Sequence, residues 1–148
     1  MTQDIFRRKE EHAEMADLFE TWTHDSGNIK PAFVKLQDRL STKENVTLSF
    51  KSRPGVSYSL RANVGKTGDI EERLFVIVDI VDDDPENRWL SVCFYEDIIT
   101  DPNGEGNLLP EGLLGEDGYC FDLCEYDDTA ISYLEQRIDE AYANILSL

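Results

Sequence analysis

The chain has 148 residues, with 31 acidic against 14 basic side chains and a formal net charge of −17 at pH 7. Such a charge repels nucleic-acid phosphates and anionic membranes, which excludes both as partners and leaves cationic ones: divalent metals or basic proteins. At 41% hydrophobic the composition is that of a folded chain, and the length suits a single domain over 1–148 with a core of its own.

Residues 1–14 carry charges where a secretion signal would be apolar. No window approaches the roughly 18 consecutive apolar residues of a membrane span. The 3 cysteines are an odd number without an export signal, so a reducing cytoplasm with free thiols is expected.

Taken in order, residues 3–23 are helical, with Met15, Leu18, Phe19 and Trp22 on one stripe. The charged residues up to 10 are expected to project. Asp25, Ser26 and Gly27 break the helix, and a second follows with Ile29, Phe33, Leu36 and Leu40 on its buried side. Asn28 can cap it, and Pro31 is tolerated in the first turn, where amide donors lack helical acceptors.

Strands come next. Val46, Leu48 and Phe50 alternate with polar residues, Pro54 and Gly55 make a turn, and Val56, Tyr58, Leu60, Ala62 and Val64 alternate with Ser57, Ser59, Arg61 and Asn63. One face is apolar and one polar, as in an antiparallel sheet with one side on a core. After a loop over 65–72 comes the most apolar stretch. Leu74, Val76, Val78 and Ile80 fall on one face, Phe75, Ile77 and Val81 on the other, and only Asp79 interrupts it. This reads as a central strand buried on both sides, so that a charge placed at Ile77 is expected to unfold the domain. Residues 82–87 (DDDPEN) form the turn into a strand with Leu90, Val92 and Phe94 against Trp89, Ser91, Cys93 and Tyr95.

Residues 97–118 hold five of the nine glycines and two prolines, and read as one long loop carrying the pairs Leu108, Leu109 and Leu113, Leu114. A strand follows at 119–125, with Tyr119, Phe121 and Leu123 inward. The last helix buries Ile131, Leu134, Ile138, Ala141, Tyr142 and Ile145, capped by Asp127 or Asp128. The expected fold is α+β: a five-stranded antiparallel meander with two N-terminal helices and one C-terminal helix on one face. In element order, with terminal helices, one antiparallel sheet and an acidic surface, the chain resembles the frataxin-type sandwich. None of that family's sequence motifs is present, so the resemblance implies a layout and no function.

Four constellations are candidates for function. If strands pair in sequence order, Asp82, Asp83, Asp84 and Glu86 meet Glu125, Asp127 and Asp128 at one rim, while Glu96, Asp97 and Asp101 lie roughly 25 Å away, at ~3.3 Å per residue. Carboxylates so gathered suit a divalent cation or a basic partner, or are solvated turn and cap residues. Asp101, Asn103 and Glu105 with Gly106 follow the start of a calcium loop, but Gly112 stands where a bidentate glutamate is needed, so a plain turn is the simpler reading. Cys120 and Cys124 are too far apart on a strand, ~13 Å, to share a metal or a disulfide, whereas Cys93 can approach Cys120 across a strand pair.

The fourth is the polar sheet face. Trp89 and Tyr95 are large for a solvent face, and with Arg61, Asn63, Leu108 and Leu109 they outline a protein-binding surface, unless the leucine-bearing loop folds back over the aromatics. No nucleophile elbow, phosphate-binding glycine loop or dinucleotide fingerprint occurs in the sequence. The expectation is a domain that acts by binding a protein partner, basic in charge, without a resident cofactor. The alternatives are a divalent-metal accessory domain using Asp82, Asp83, Asp84, Glu86, Asp127 and Asp128, and an enzyme of unrecognised type with 97–118 as a lid.

Overall fold

The structure, a computed structural model, describes residues 5–65 and 72–147. The central part of the loop expected over 65–72 lies outside the described residues. Helices α1 (Lys9–Thr21), α2 (Ile29–Ser41) and α3 (Asp128–Ser147) pack against one face of a sheet formed by β1 (Val46–Arg53), β2 (Ser57–Val64), β3 (Arg73–Val81), β4 (Trp89–Tyr95), β5 (Asn107–Leu113) and β6 (Glu116–Leu123). All pairs are antiparallel, and the spatial order is β1-β2-β3-β4-β6-β5.

The sheet therefore has six strands where five are expected from the sequence. The additional strand, β5, lies inside the glycine-rich stretch 97–118. It occupies the outer edge, where Pro110 is tolerated because no neighbour needs its missing N–H. A two-residue turn joins β5 to β6, with Leu113 paired to Glu116 and positive φ at both Leu114 (52°) and Gly115 (86°). That turn follows the twist of the strands but demands φ > 0 twice, which glycine adopts freely and leucine does not. Nothing in the periodicity announces such a strand, because six of its seven residues are exposed.

Helix ends also differ from expectation. Asn28 has left-handed φ and makes no side-chain cap bond. Asp25 caps α2 instead, accepting the Ile29 and Lys30 amides at 2.8 and 2.9 Å. Lys30 Nζ in turn donates to the carbonyls of Phe19 and Trp22 near the C-terminal end of α1. Asp127 caps α3 through the Thr129 and Ala130 amides. Within the stretch expected to project, Phe6 bridges to Leu48 in parallel sense and Arg7 N–H donates to the Leu48 carbonyl at 2.7 Å, while residues 1–4 lie outside the described residues.

The core lies between the helices and one sheet face. Phe50, Leu60, Val78, Val92 and Phe121 stand directly opposite one another across five strands, each at most 3% exposed. Burying each of these side chains contributes about 2 kcal/mol. The strict alternation expected for β3 fails at one place. A register shift at Ala62/Asn63 puts Leu74 opposite Asn63 and leaves Phe75 unpaired, so Phe75 and Val76 both enter the core and Leu74 leaves it. An extra residue in one strand resets the facing of everything before it. Phe75 then packs edge-on against Tyr142 of α3, with ring centroids 5.7 Å apart.

Candidate functional site

The sheet face turned away from the helices carries two rows of side chains in register. One runs Lys51, Ser59, Asp79, Ser91, Asp122 from β1 to β6, and the next runs Ser49, Arg61, Ile77, Cys93, Cys120, Asn107. At the β5 side the β5–β6 hairpin curls over this face, so Leu113 is only 6% exposed. Between the hairpin and β1–β2 lies a cleft of about 470 Å³ whose lining includes Arg53, Ser57, Arg61, Asp79, Leu109 and Leu113. That volume falls within the range of small-ligand sites, which join an apolar floor to a few convergent polar groups.

Asp79 is the chemically unusual group in this cleft. It stands between Ser59 and Ser91 on the neighbouring strands, and its Oδ1 is buried with no hydrogen-bond partner among the described residues. Burial pushes the Asp79 carboxyl above its ordinary range, and the Ser59 hydroxyl and the guanidiniums of Arg61 and Arg53 pull it only partly back. Neither arginine forms an ion pair with a described carboxylate. The Arg61 Nε–H reaches only the Ser59 hydroxyl, at a long 3.5 Å.

The cleft floor also holds a disulfide. Cys93 and Cys120 are direct partners across β4 and β6, with Cα atoms 4.1 Å apart, and are bonded. Free thiols are expected from the sequence, and the pairing corrects this for two of the three cysteines. β5 departs to the outer edge, which makes β4 and β6 neighbours and sets the two sulfurs face to face. Cys124 remains free and exposed.

The predicted surface residues are dispersed by this arrangement. Arg61 and Leu109 share the cleft. Leu109 is 46% exposed on its wall, while Leu108 is 51% exposed on the opposite side of β5, paired with Tyr119. Asn63 lies beyond Arg61 on β2. Tyr95 is half-buried, paired with Gly118 at the far end of β4. Trp89 lines a separate cleft of about 400 Å³ with His24, Glu86, Arg88 and Glu125.

Of the expected acidic rim only Glu86 and Glu125 line that second cleft, while Asp127 and Asp128 line other hollows. The rim's members are differently occupied. Asp82 is 3% exposed, accepts the Arg88 Nε–H at 2.7 Å and the Gly55 amide at 2.9 Å, and so ties the β1–β2 turn to the β3–β4 turn. The Arg88 guanidinium also lies over the Trp22 ring, 5.1 Å from its centroid. Asp84 holds its own turn through the Glu86 amide and the Asn87 side chain. Asp127 is spent on the α3 cap; Asp83 and Asp128 are exposed. Among the described residues no three His, Cys, Asp or Glu side chains are grouped as ligands of one metal ion.

The Asp101 turn is likewise held by protein donors. The Asp101 carboxylate accepts the amides of Glu105 and Gly106 and the hydroxyls of Tyr119 and Tyr133. Burial alone would push it up, but these four hydrogen bonds outweigh burial and hold it far below the usual carboxylate range. Gly106 sits tight against this knot, since a Cβ there would come within 2.5 Å of the Tyr119 ring.

Sequence reasoning gives Asp79 and Arg53 no place in a candidate site, whereas Ser91 is read on the face opposite the core and Leu113 as one of a leucine pair. The available signal for Asp79 is its place as the single charge in an otherwise apolar strand. No helix among the described residues is long and apolar enough to cross a membrane. No protein-family model matches the chain, and neither does any curated protein or solved structure.

Proposed function

We propose that the protein is a binding domain whose open sheet face receives a segment of a partner protein. The observation that carries this is the uncovered cleft itself. Its polar groups, Asp79 Oδ1 and the Arg53 and Arg61 guanidiniums, are not consumed by the fold, and Leu109 and Leu114 stand exposed on its wall at 46% and 66%. Leu114 is also held at a φ of 52°. A leucine both strained and exposed, beside a cleft, is retained for something other than stability. The acidic surface speeds encounter with a partner that is basic overall and makes the association salt-sensitive.

The test is a photo-crosslinking residue installed at position 109, and separately at position 34 on the outer side of α2, in cells that express the protein. A discrete adduct from position 109 that is missing from position 34 is the expected result. Equal labelling from both would reject the open face as the binding surface. A divalent cation at the acidic rim is the competing proposal, supported by Glu86 and Glu125 sharing one cleft. An ion-specific rise in Tm when chelator-stripped protein receives millimolar calcium or manganese would favour it.

A further inference from the structure

We propose that the open-face cleft captures the C-terminal carboxylate of a partner chain whose last residue is apolar. This rests on the open face being a protein-binding surface, and adds which chemical feature of the partner it reads.

Three observations converge on that feature. The first is charge. Residues 45–68 contain no aspartate or glutamate, although the whole chain has 31 in 148 residues. The hairpin of β1 and β2 is therefore a basic segment, free of acidic residues, in a strongly acidic protein. Its Arg53 and Arg61 line the cleft without an ion-pair partner among the described residues. A guanidinium presents a planar fork of donors that matches a carboxylate. The protein as a whole repels carboxylates, and a patch with two guanidiniums unpaired among the described residues is a place where an anionic chain end is favoured.

The second is the Asp79 Oδ1, a buried acceptor with no donor among the described residues. Buried acceptors are nearly always satisfied, and this one lacks only an N–H. The third is the apolar surface beside it, made by Ile77 on the floor and by Leu109 and Leu113 on the wall.

The terminal residue of an extended chain offers a carboxylate, an amide N–H and a side chain within about 3.4 Å of chain length. The cleft offers their complements at similarly close spacing. Arg61 stands directly across from Ile77, and Asp79 is the next residue of β3 on the same face. A glutamate within a segment carries its carboxylate at the end of a side chain, away from its own N–H, and has no apolar group on the same residue. The two guanidiniums offset both the ligand carboxylate and Asp79.

Acetylated tetrapeptides ending in leucine test this by amide chemical-shift mapping on the intact protein. One has a free terminal carboxylate and one a carboxamide. A third is amidated and carries an internal glutamate. The free carboxylate is expected to bind at least tenfold tighter than the other two, with shifts at Ser59, Ile77 and Ser91. R53Q together with R61Q is expected to abolish that preference in a protein that still unfolds cooperatively, at a somewhat lower Tm because Asp79 loses two offsetting charges. The comparison of peptides on the unaltered protein stands even if the variant folds poorly. Equal binding of acid and amide, or shifts outside the cleft, would overturn the proposal; equal binding of the glutamate peptide would overturn the chain terminus as the source. A position-109 crosslink that persists unchanged in the R53Q/R61Q protein would overturn carboxylate capture yet leave the open face as a binding surface. Loss of the crosslink and of all peptide binding together would remove both.

Discussion

The two faces of this sheet are built from the same strands, one residue out of step, and they differ in almost everything else. On the helix side Phe50, Leu60, Val78, Val92 and Phe121 form a dry row, each at most 3% exposed. On the other side the neighbouring row runs Lys51, Ser59, Asp79, Ser91 and Asp122. The first row has no polar side chain to satisfy, and the second has a buried carboxylate oxygen left without a donor among the described residues. Where every group is satisfied the residues are explained by stability alone. Where one is not, the protein tolerates a penalty that stability does not explain.

The most severe way to break the contrast is to put the same charge on each face of β3. V78D would bury an unpaired carboxylate at a position 0% exposed, and is expected to abolish cooperative folding. I77D, one residue away, would face Arg61 directly across the strand pair and open onto the cleft, and is expected to fold with reduced stability. The periodicity assigns the unfolding effect to Ile77, which is indeed buried at 5% exposure; its register opposite Arg61 and its place on the cleft floor are the reasons a milder loss is expected there than at Val78. Urea unfolding of both variants checks this. A stable V78D protein, or an unfolded I77D protein beside it, would mean the faces are assigned wrongly.

The next effect concerns the acidic turn, which reads in the sequence as one cluster. D82N would leave the Arg88 guanidinium, its side chain 10% exposed, without its carboxylate. Breaking a buried pair this way costs about 3–5 kcal/mol. D83N, on an exposed neighbour, should stay within about 0.5 kcal/mol of the parent. Denaturant midpoints of the two variants should therefore separate widely. Coincident midpoints would return Asp82 to the status of ordinary surface charge.

What was legible in the sequence follows the same division. The helix-facing residues of β1, β2, β4 and α3 announce themselves through periods of two and 3.6, because a single buried face imposes a single pattern. The rest needed geometry. β5 is hidden because an exposed edge strand has no apolar face to reveal it. Phe75 is misassigned because one bulge residue in β3 carries no compositional mark. Asp82 cannot be told from Asp83 without knowing that Arg88 and Gly55 converge on it. In the candidate site Arg61 and Leu109 are legible as members of a polar face and a leucine-bearing segment. Their meeting in one cleft is not, since it depends on the hairpin turn at Leu114 and Gly115.

A smaller effect is expected at Asp101, whose hydrogen bonds are complete where those of Asp79 are not. D101A removes four hydrogen bonds to a carboxylate and should lower stability by about 2 kcal/mol, a fall in Tm of roughly 4–8 °C. Its folded-state pKa lies below the ordinary 3.8. The stabilisation is therefore fully present above that value and is lost as pH falls through it toward the folded pKa. D101A should accordingly flatten the acid limb of a plot of Tm against pH. An unchanged limb would show that the tyrosine hydroxyls and amides do not act on this carboxylate in solution.

Asp79 should respond in the opposite sense, and it gives the finest test of the comparison. Burial first, offset in part by Ser59, Arg61 and Arg53, raises its folded-state pKa above 3.8. The native state then holds the proton more tightly than the unfolded chain does. The favourable contribution is complete below the unfolded value, falls away as pH rises through the folded one, and leaves its full penalty at neutral pH. D79N keeps the shape and an acceptor oxygen but removes the charge, so it is expected to raise Tm at pH 7 by roughly 2–4 °C, about 1 kcal/mol. The gain should vanish as the pH is lowered below 4, where the parent is itself protonated. Substitutions that stabilise by deleting a charged group mark sites where that charge serves something other than folding. A lower Tm for D79N at neutral pH would instead make Asp79 a structural partner of Ser59 and its arginines. The open face would then be as fully explained by stability as the closed one.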